Sequence, residues 1–205
     1  MLCSNTPLAP CGCPGQAVVN APRRRLIRIA AAGIVAPLAL SAWPATASFA
    51  GDRLVAEDAE GTPAPLRVAD LQPGKPVVAY PFDAMRNAPR DESRLNKIVL
   101  LRLRDVDMAP DTAAGMTPET RARAAGGVLA YSAICTHQGC DVKTWLAKER
   151  ALVCYCHSSK FTLLDGGNVI SGPATRALPA IALVLDGDHL VIAGAFTAAP
   201  GGSPA

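Results

Sequence analysis

The sequence predicts an all-β fold, and three observations predict it. Beyond residue 66, short apolar runs recur at close intervals, each ended by Gly, Pro, Asp or Asn. Two of the gaps, Asp165-Gly166-Gly167-Asn168 and Asp186-Gly187-Asp188, carry hairpin chemistry, with glycine supplying the positive φ that such turns require. Half of the residues are hydrophobic and only 4% aromatic, so the core is built from Val, Leu, Ile and Ala rather than from large rings.

In chain order the first element is a leader. Arg23-Arg24-Arg25-Leu26-Ile27-Arg28 precedes a largely apolar run from Ile29 to Trp43 and then Ala45-Thr46-Ala47, the basic, apolar and small-x-small order that the secretion machinery reads. Residues 1–47 are therefore expected to be an export signal, with the mature chain beginning near Ser48. Arg23 and Arg24 ahead of Leu26 and Ile27 resemble the twin-arginine type, a route for proteins exported already folded. The alternative is a retained membrane anchor, although fifteen residues interrupted by Pro37 fall short of the ~20 that a spanning helix needs. The expected location is the periplasm, with the inner membrane reached only through such an anchor. Cys3, Cys11 and Cys13 lie in this leader and receive no role.

Residues 48–65, rich in Ala, Gly, Pro and acids without a sustained period, read as a flexible lead-in. Strands are expected at 66–68, 76–80 and 97–103, bounded by Gln72-Pro73-Gly74 and the polar stretch 86–94. The stretch 105–127 reads as a long surface loop with one short helical turn near 117–124. Further strands follow at 128–134, 151–153, 161–164, 169–170, 181–185 and 190–193, and 198–205 reads as a disordered Pro/Gly/Ala tail. Without residues 1–47 the chain holds 16 Lys and Arg against 17 Asp and Glu. That balance gives no general electrostatic case for binding nucleic acid or an anionic membrane surface.

The chemistry is concentrated in two loops that follow expected strands: CTHQGC from Cys135 to Cys140, and CYCHSS from Cys154 to Ser159. Loops at the ends of a rigid sheet can aim several ligands at one point. Cys135, His137, Cys154 and His157 offer two thiolates and two imidazoles, a set suited to a tetrahedral zinc or to an iron-sulfur cluster with mixed ligands. A Cys2His2 zinc finger groups its cysteines in one loop and its histidines in the other, whereas here each loop mixes the two. Cys-x-His followed by Cys-x-x-His resembles the Rieske family, in which two cysteines hold one iron of a 2Fe-2S cluster and two histidines hold the other.

The resemblance runs from about Val128 to Ala193. It implies one 2Fe-2S cluster and a Rieske-type antiparallel β-sandwich, placed here at 66–197, with a small cluster-binding subdomain formed by the loops at 135–140 and 154–159. It also pairs Cys140 with Cys156 in a disulfide that ties the loops together, a bond that persists in an exported chain; unaided, four cysteines allow three pairings. Ser171-Gly172-Pro173-Ala174 looks like the proline-bearing loop that covers the cluster in this family, which gives that role to Gly172, Pro173 and Ala174.

Against the respiratory pattern C-T-H-L-G-C and C-P-C-H-G-S-x-Y, Gln138 stands for Leu, Tyr155 for Pro, Ser158 for Gly and Phe161 for Tyr, while Ser159 is kept. In the family that serine and tyrosine donate hydrogen bonds to sulfur, which stabilise the more negative reduced state. Phe161 therefore implies a potential below that of members with both donors, within a family range of about −150 to +300 mV. His137 and His157 are expected to be partly exposed and to form a docking point for a redox partner. His189 reads as a plain exposed histidine, Tyr131 and Trp145 as packing beneath the loops, and Lys143, Lys148, Glu149 and Arg150 as a solvated connection.

Such a centre relays one electron, and no separate catalytic group is evident. The wording YSAICTHQGC and CHSSKF, with the twin-arginine leader, looks like the small subunit of arsenite-oxidase-type molybdenum enzymes; the alternative is the iron-sulfur subunit of a cytochrome bc complex. The partners implied are a larger redox subunit, molybdopterin-type or cytochrome b, and a c-type cytochrome or quinol. A different class is a structural zinc protein, marked by absence of colour and of acid-labile sulfide. A ferredoxin or oxygenase component implies a cytoplasmic chain, usually without the extra cysteine pair and, for the oxygenase, a further iron-binding domain, and the sequence meets neither expectation.

Overall fold

The computed structural model describes residues 48–59, 62–108 and 115–202. The strands among them are β1 (Arg53–Ala56), β2 (Pro76–Asp83), β3 (Ala88–Pro89), β4 (Ile98–Arg102), β5 (Val128–Ser132), β6 (Thr144–Leu146), β7 (Ala151–Cys154), β8 (Ser159–Thr162), β9 (Val169–Ser171), β10 (Leu183–Asp186) and β11 (His189–Ile192). Two short helices, α1 (Asp105–Met108) and α2 (Pro118–Arg123), lie between β4 and β5. One sheet has the order β10-β11-β1-β2-β4-β5, with β3 paired to β2, and the other the order β6-β7-β8-β9. Every pairing described is antiparallel.

Side chains alternate across a strand, and β4 shows the consequence. Val99 and Leu101 enter one core with Leu129, Tyr131, Leu152 and Phe161. Ile98 and Leu100 enter a second core with Leu54, Ala79, Leu183 and Ile192. A strand buried on both faces must be apolar throughout, which is why Ile98-Val99-Leu100-Leu101 has no polar interruption. Each such side chain contributes roughly 1.5–3 kcal/mol by leaving water. The first core joins the two sheets and is the one that reaches the cysteine loops.

α2 forms at the helical turn expected near 117–124. The Thr117 hydroxyl accepts from Thr120 N–H at 3.3 Å and Pro118 occupies the first turn, a start signal in which capping satisfies an otherwise unpaired amide.

Three expectations change. The described part of 48–65 is not a flexible lead-in: β1 sits between β11 and β2, with Arg53 opposite both Val191 and Phe82. Leu54 and Val55 are buried, and Phe49 packs edge-on against Phe196 with ring centroids 6.3 Å apart. Four strand residues set among Gly, Pro and acids are too short a run to show a period. Residues 66–68 are not a strand either: Arg67 makes an isolated bridge to His189. The Asp70 carboxylate then accepts from Arg67 N–H at 2.8 Å at the start of a 3-10 turn, Val68–Asp70. The third change is at 198–202, which is ordered against the rest of the chain because Arg176 donates to the Ala199 carbonyl at 2.9 Å and to the Gly201 carbonyl.

Residues 1–47, where the signal or anchor is expected, lie outside the described residues, as do 60–61, 109–114 of the expected loop and 203–205 of the expected tail. Among the described residues no helix is long and apolar enough to cross a membrane.

Candidate metal centre

Strand alternation delivers both free thiols among the described residues to the first core. The face of β5 that carries Leu129 and Tyr131 continues through Ala133 to Cys135, and the face of β7 that carries Leu152 ends at Cys154. Cys135 and Cys154 are free and buried, and the neighbouring Cys154 side chain adds to the burial that pushes the Cys135 thiol up. The first loop closes on itself: Cys135 N–H donates to Cys140 O at 2.7 Å and Gly139 N–H donates to Cys135 O at 3.0 Å. The turn places Gly139 at φ +76, a conformation that glycine adopts without steric cost. The second loop joins β7 to β8, with Cys154 opposite Ser159 and Ser158 at φ +60.

The imidazoles lie nearer to solvent. His137 is half-buried and His157 exposed, their rings edge-to-face with centroids 4.7 Å apart. Each loop thus contributes one thiol and one imidazole, like paired with like. Soft thiolates for one iron and imidazoles for the other are what a Rieske-type 2Fe-2S cluster takes, so the residues present fit that group. The Cys154 sulfur also lies within 4.8 Å of the sulfurs of Cys140 and Cys156. Those two form a disulfide with Cα atoms 6.5 Å apart, so they are not thiolate ligands and the trio is not a metal site.

The family model described as Rieske [2Fe-2S] domain matches residues 67–182, more than half of the chain. The chain belongs to the Rieske family. A cytochrome bc1 complex Rieske iron-sulfur subunit from Streptomyces lividans is 34% identical over 133 residues, covering 64% of this chain and 75% of that protein. One from Corynebacterium glutamicum is 33% identical over 132 residues, covering 62% of this chain and 29% of the relative. A Haloferax mediterranei protein named as a Rieske subunit of a respiratory nitrate reductase is 40% identical over 79 residues, 37% of this chain and 35% of its own length. The match thus spans well under half of the Corynebacterium and Haloferax proteins.

Around the Rieske loops the electrostatics are set by burial and by backbone donors. Burial pushes the Cys135 thiol up from its ordinary range, while the N–H groups of His137 and Gln138, both donating to its sulfur, act the other way. Ser159 and Phe161 are buried. The Ser159 hydroxyl accepts from Ala174 N–H at 3.1 Å, and a Cβ added at Gly172 (φ +91) would stand 2.4 Å from Ser159 Cα. The segment Gly172-Pro173-Ala174 is therefore seated directly on the second loop.

Tyr131 and Trp145 pack in the first core. The Tyr131 hydroxyl donates to Leu163 O at 2.7 Å, and burial pushes its pKa up to about 12. Lys143, Lys148 and Glu149 are exposed, Glu149 pairing with Lys160 at 2.6 Å, and Arg150 donates to Val106 O. His189 is half-buried, with Nδ1 3.3 Å from an Asp188 oxygen, because the bridge to Arg67 covers one side of β11.

Two supports escaped the sequence reading. Asp141, next to the disulfide, pairs with Arg94 at 2.5 Å and with Lys97 at 3.3 Å, and Lys97 also reaches Glu57 at 2.5 Å. Thr136, between the candidate ligands of the first loop, donates its hydroxyl to Arg176 O at 2.7 Å. Neither leaves a local sequence signal, because each partner comes from a distant segment.

Proposed function

We propose that this Rieske protein is an exported one-electron relay subunit of a larger respiratory oxidoreductase, with Cys135 and Cys154 holding one iron of a single 2Fe-2S cluster and His137 and His157 the other. The observation that carries the reading is the sorting of four donors from two loops into a buried thiol pair and an imidazole pair with His157 open to solvent. A bound cluster supplies one-electron exchange at a potential set by its ligands, by hydrogen bonds to sulfur and by burial.

The chain's own residues do the rest. The amides of His137 and Gln138 direct hydrogen bonds onto the Cys135 sulfur. The disulfide joins the loops, and Gly172-Pro173-Ala174 braces the second. His157 and the 70%-exposed Tyr155 beside it present the edge at which a redox partner docks. Purified protein should be coloured and contain equimolar iron and acid-labile sulfide. A colourless zinc protein overturns the reading.

The partner follows from one of two assemblies. Tyr155, Ser158 and Phe161, with the twin-arginine leader, favour a small subunit of arsenite-oxidase type beside a molybdopterin-bearing subunit, with a c-type cytochrome as acceptor. The names of the Streptomyces and Corynebacterium relatives favour the iron-sulfur subunit of a cytochrome bc complex fed by quinol. Isolation of the native complex separates them: molybdenum marks the first and b-type haem the second. Periplasmic location belongs to the same proposal, and cytoplasmic retention of the folded chain would overturn it.

A further inference from the structure

The electron relay leaves unexplained why residues 198–202 are held against the first Rieske loop. The Arg176 guanidinium donates to the carbonyls of Ala199 and Gly201, while the Arg176 carbonyl accepts from the Thr136 hydroxyl. Thr136 lies between Cys135 and His137, so a single residue ties the segment to the loop. Gly201 is buried at φ +94, and a Cβ added there would stand 3.2 Å from Leu95 Cδ2. At Gly202 an added Cβ would stand 2.7 Å from the His137 carbonyl oxygen and 3.2 Å from Gln138 Cα. The backbone at Gly202 therefore closes directly on the peptide joining His137 to Gln138.

The other end of that peptide is the Gln138 N–H, which donates to the Cys135 sulfur. A peptide group is a rigid plane, so whatever pins its carbonyl also aims its N–H. We propose that residues 199–202, clamped by Arg176, form a strap that holds the His137–Gln138 peptide in the orientation that hydrogen-bonds the Cys135 sulfur, which makes Arg176 and Gly202 positioning residues of the redox centre. The inference rests on the assignment of Cys135 and His137 as ligands. Hydrogen bonds to sulfur stabilise the more negative reduced state, so the strap raises the reduction potential.

The test uses the full chain in four variants: Arg176→Ala, Arg176→Lys, Gly202→Ala and deletion of 199–205. Iron, sulfide and the electron paramagnetic resonance spectrum of the unmodified protein come first, because their failure removes the ligand assignment itself rather than the strap. Given a cluster, the potential should fall in Arg176→Ala, Gly202→Ala and the deletion, with a changed resonance spectrum. Hydrogen exchange at Gln138 should speed up about tenfold, the equivalent of one lost net hydrogen bond. Arg176→Lys, able to keep one of the two donations, should fall between.

Arg53→Ala, which breaks an exposed pair with Asp186, is the control and should change neither the potential nor the exchange at Gln138. Equal changes in that control overturn the proposal. So does an unchanged potential in the cluster-bearing strap variants. If the deletion fails to fold, Gly202→Ala and Arg176→Lys decide alone.

Discussion

Phe161 is fully buried in the core that contains Cys135 and Cys154, so its ring has no contact with water that a new hydroxyl could use. In Phe161→Tyr the added hydroxyl must find a partner inside that core, and a sulfur of the centre is the partner the family pattern implies. The reduction potential should rise, on the order of 50 mV for one hydrogen bond of about 1 kcal/mol. A redox titration that shows no rise would place the ring away from the sulfurs. Glycine gives a second test at this scale. Gly172 and Gly166 both have positive φ, at +91 and +60, but an added Cβ strikes Ser159 backbone at the first and meets nothing within 4 Å at the second. Gly166→Ala should therefore cost only the conformational strain, about 1 kcal/mol. Gly172→Ala adds a backbone collision and should cost clearly more in urea unfolding, with reduced cluster content.

Between the loops, covalent and ionic ties act on the same element. The disulfide spans a sequence separation of 16 residues and encloses β6 and β7, so replacing both Cys140 and Cys156 by Ser should lower stability by about 3 kcal/mol. Urea unfolding with and without reductant measures it, and only the parent should respond to reductant. Asp141 fixes the foot of the first loop by charge. Burial alone would raise its carboxyl, but the hydrogen bonds and charges of Arg94 and Lys97 outweigh burial and hold it below the ordinary range. A folded-state pKa below the unfolded value of about 3.9 stabilises fully above that value and is lost as pH falls through the folded one. Asp141→Asn should therefore have a lower urea midpoint than the parent at pH 7, and the gap should close below about pH 4. A gap independent of pH would show that the amide disturbs packing rather than charge.

Across the whole molecule, β1 decides whether the larger sheet is continuous. Leu54→Ala should cost about 2–5 kcal/mol, as for other buried leucines, whereas a loose lead-in would tolerate it; thermal unfolding distinguishes the two. The segments that sequence made legible are those with their own period or turn chemistry: β4 through four consecutive apolar residues, β10 and β11 through Asp186-Gly187-Asp188, and the cysteine loops through residue types and spacing. What it hid depends on partners remote in the chain. β1 is too short to show alternation, Asp141 is explained only by Arg94 and Lys97, and the ordered stretch 198–202 only by Arg176. Glycine and proline there resemble a solvated tail, although two of the glycines are needed for close approach. The position of β1 also sets an order of events. Arg53 must meet Val191, 138 residues further on, and at ribosomal rates on the order of ten residues per second that partner emerges more than about ten seconds later. Until then β1 keeps one open edge, the kind of edge that pairs with the wrong chain. Long-range closure of this sort is slow, and a nascent chain in this condition gains most from being sheltered until synthesis ends.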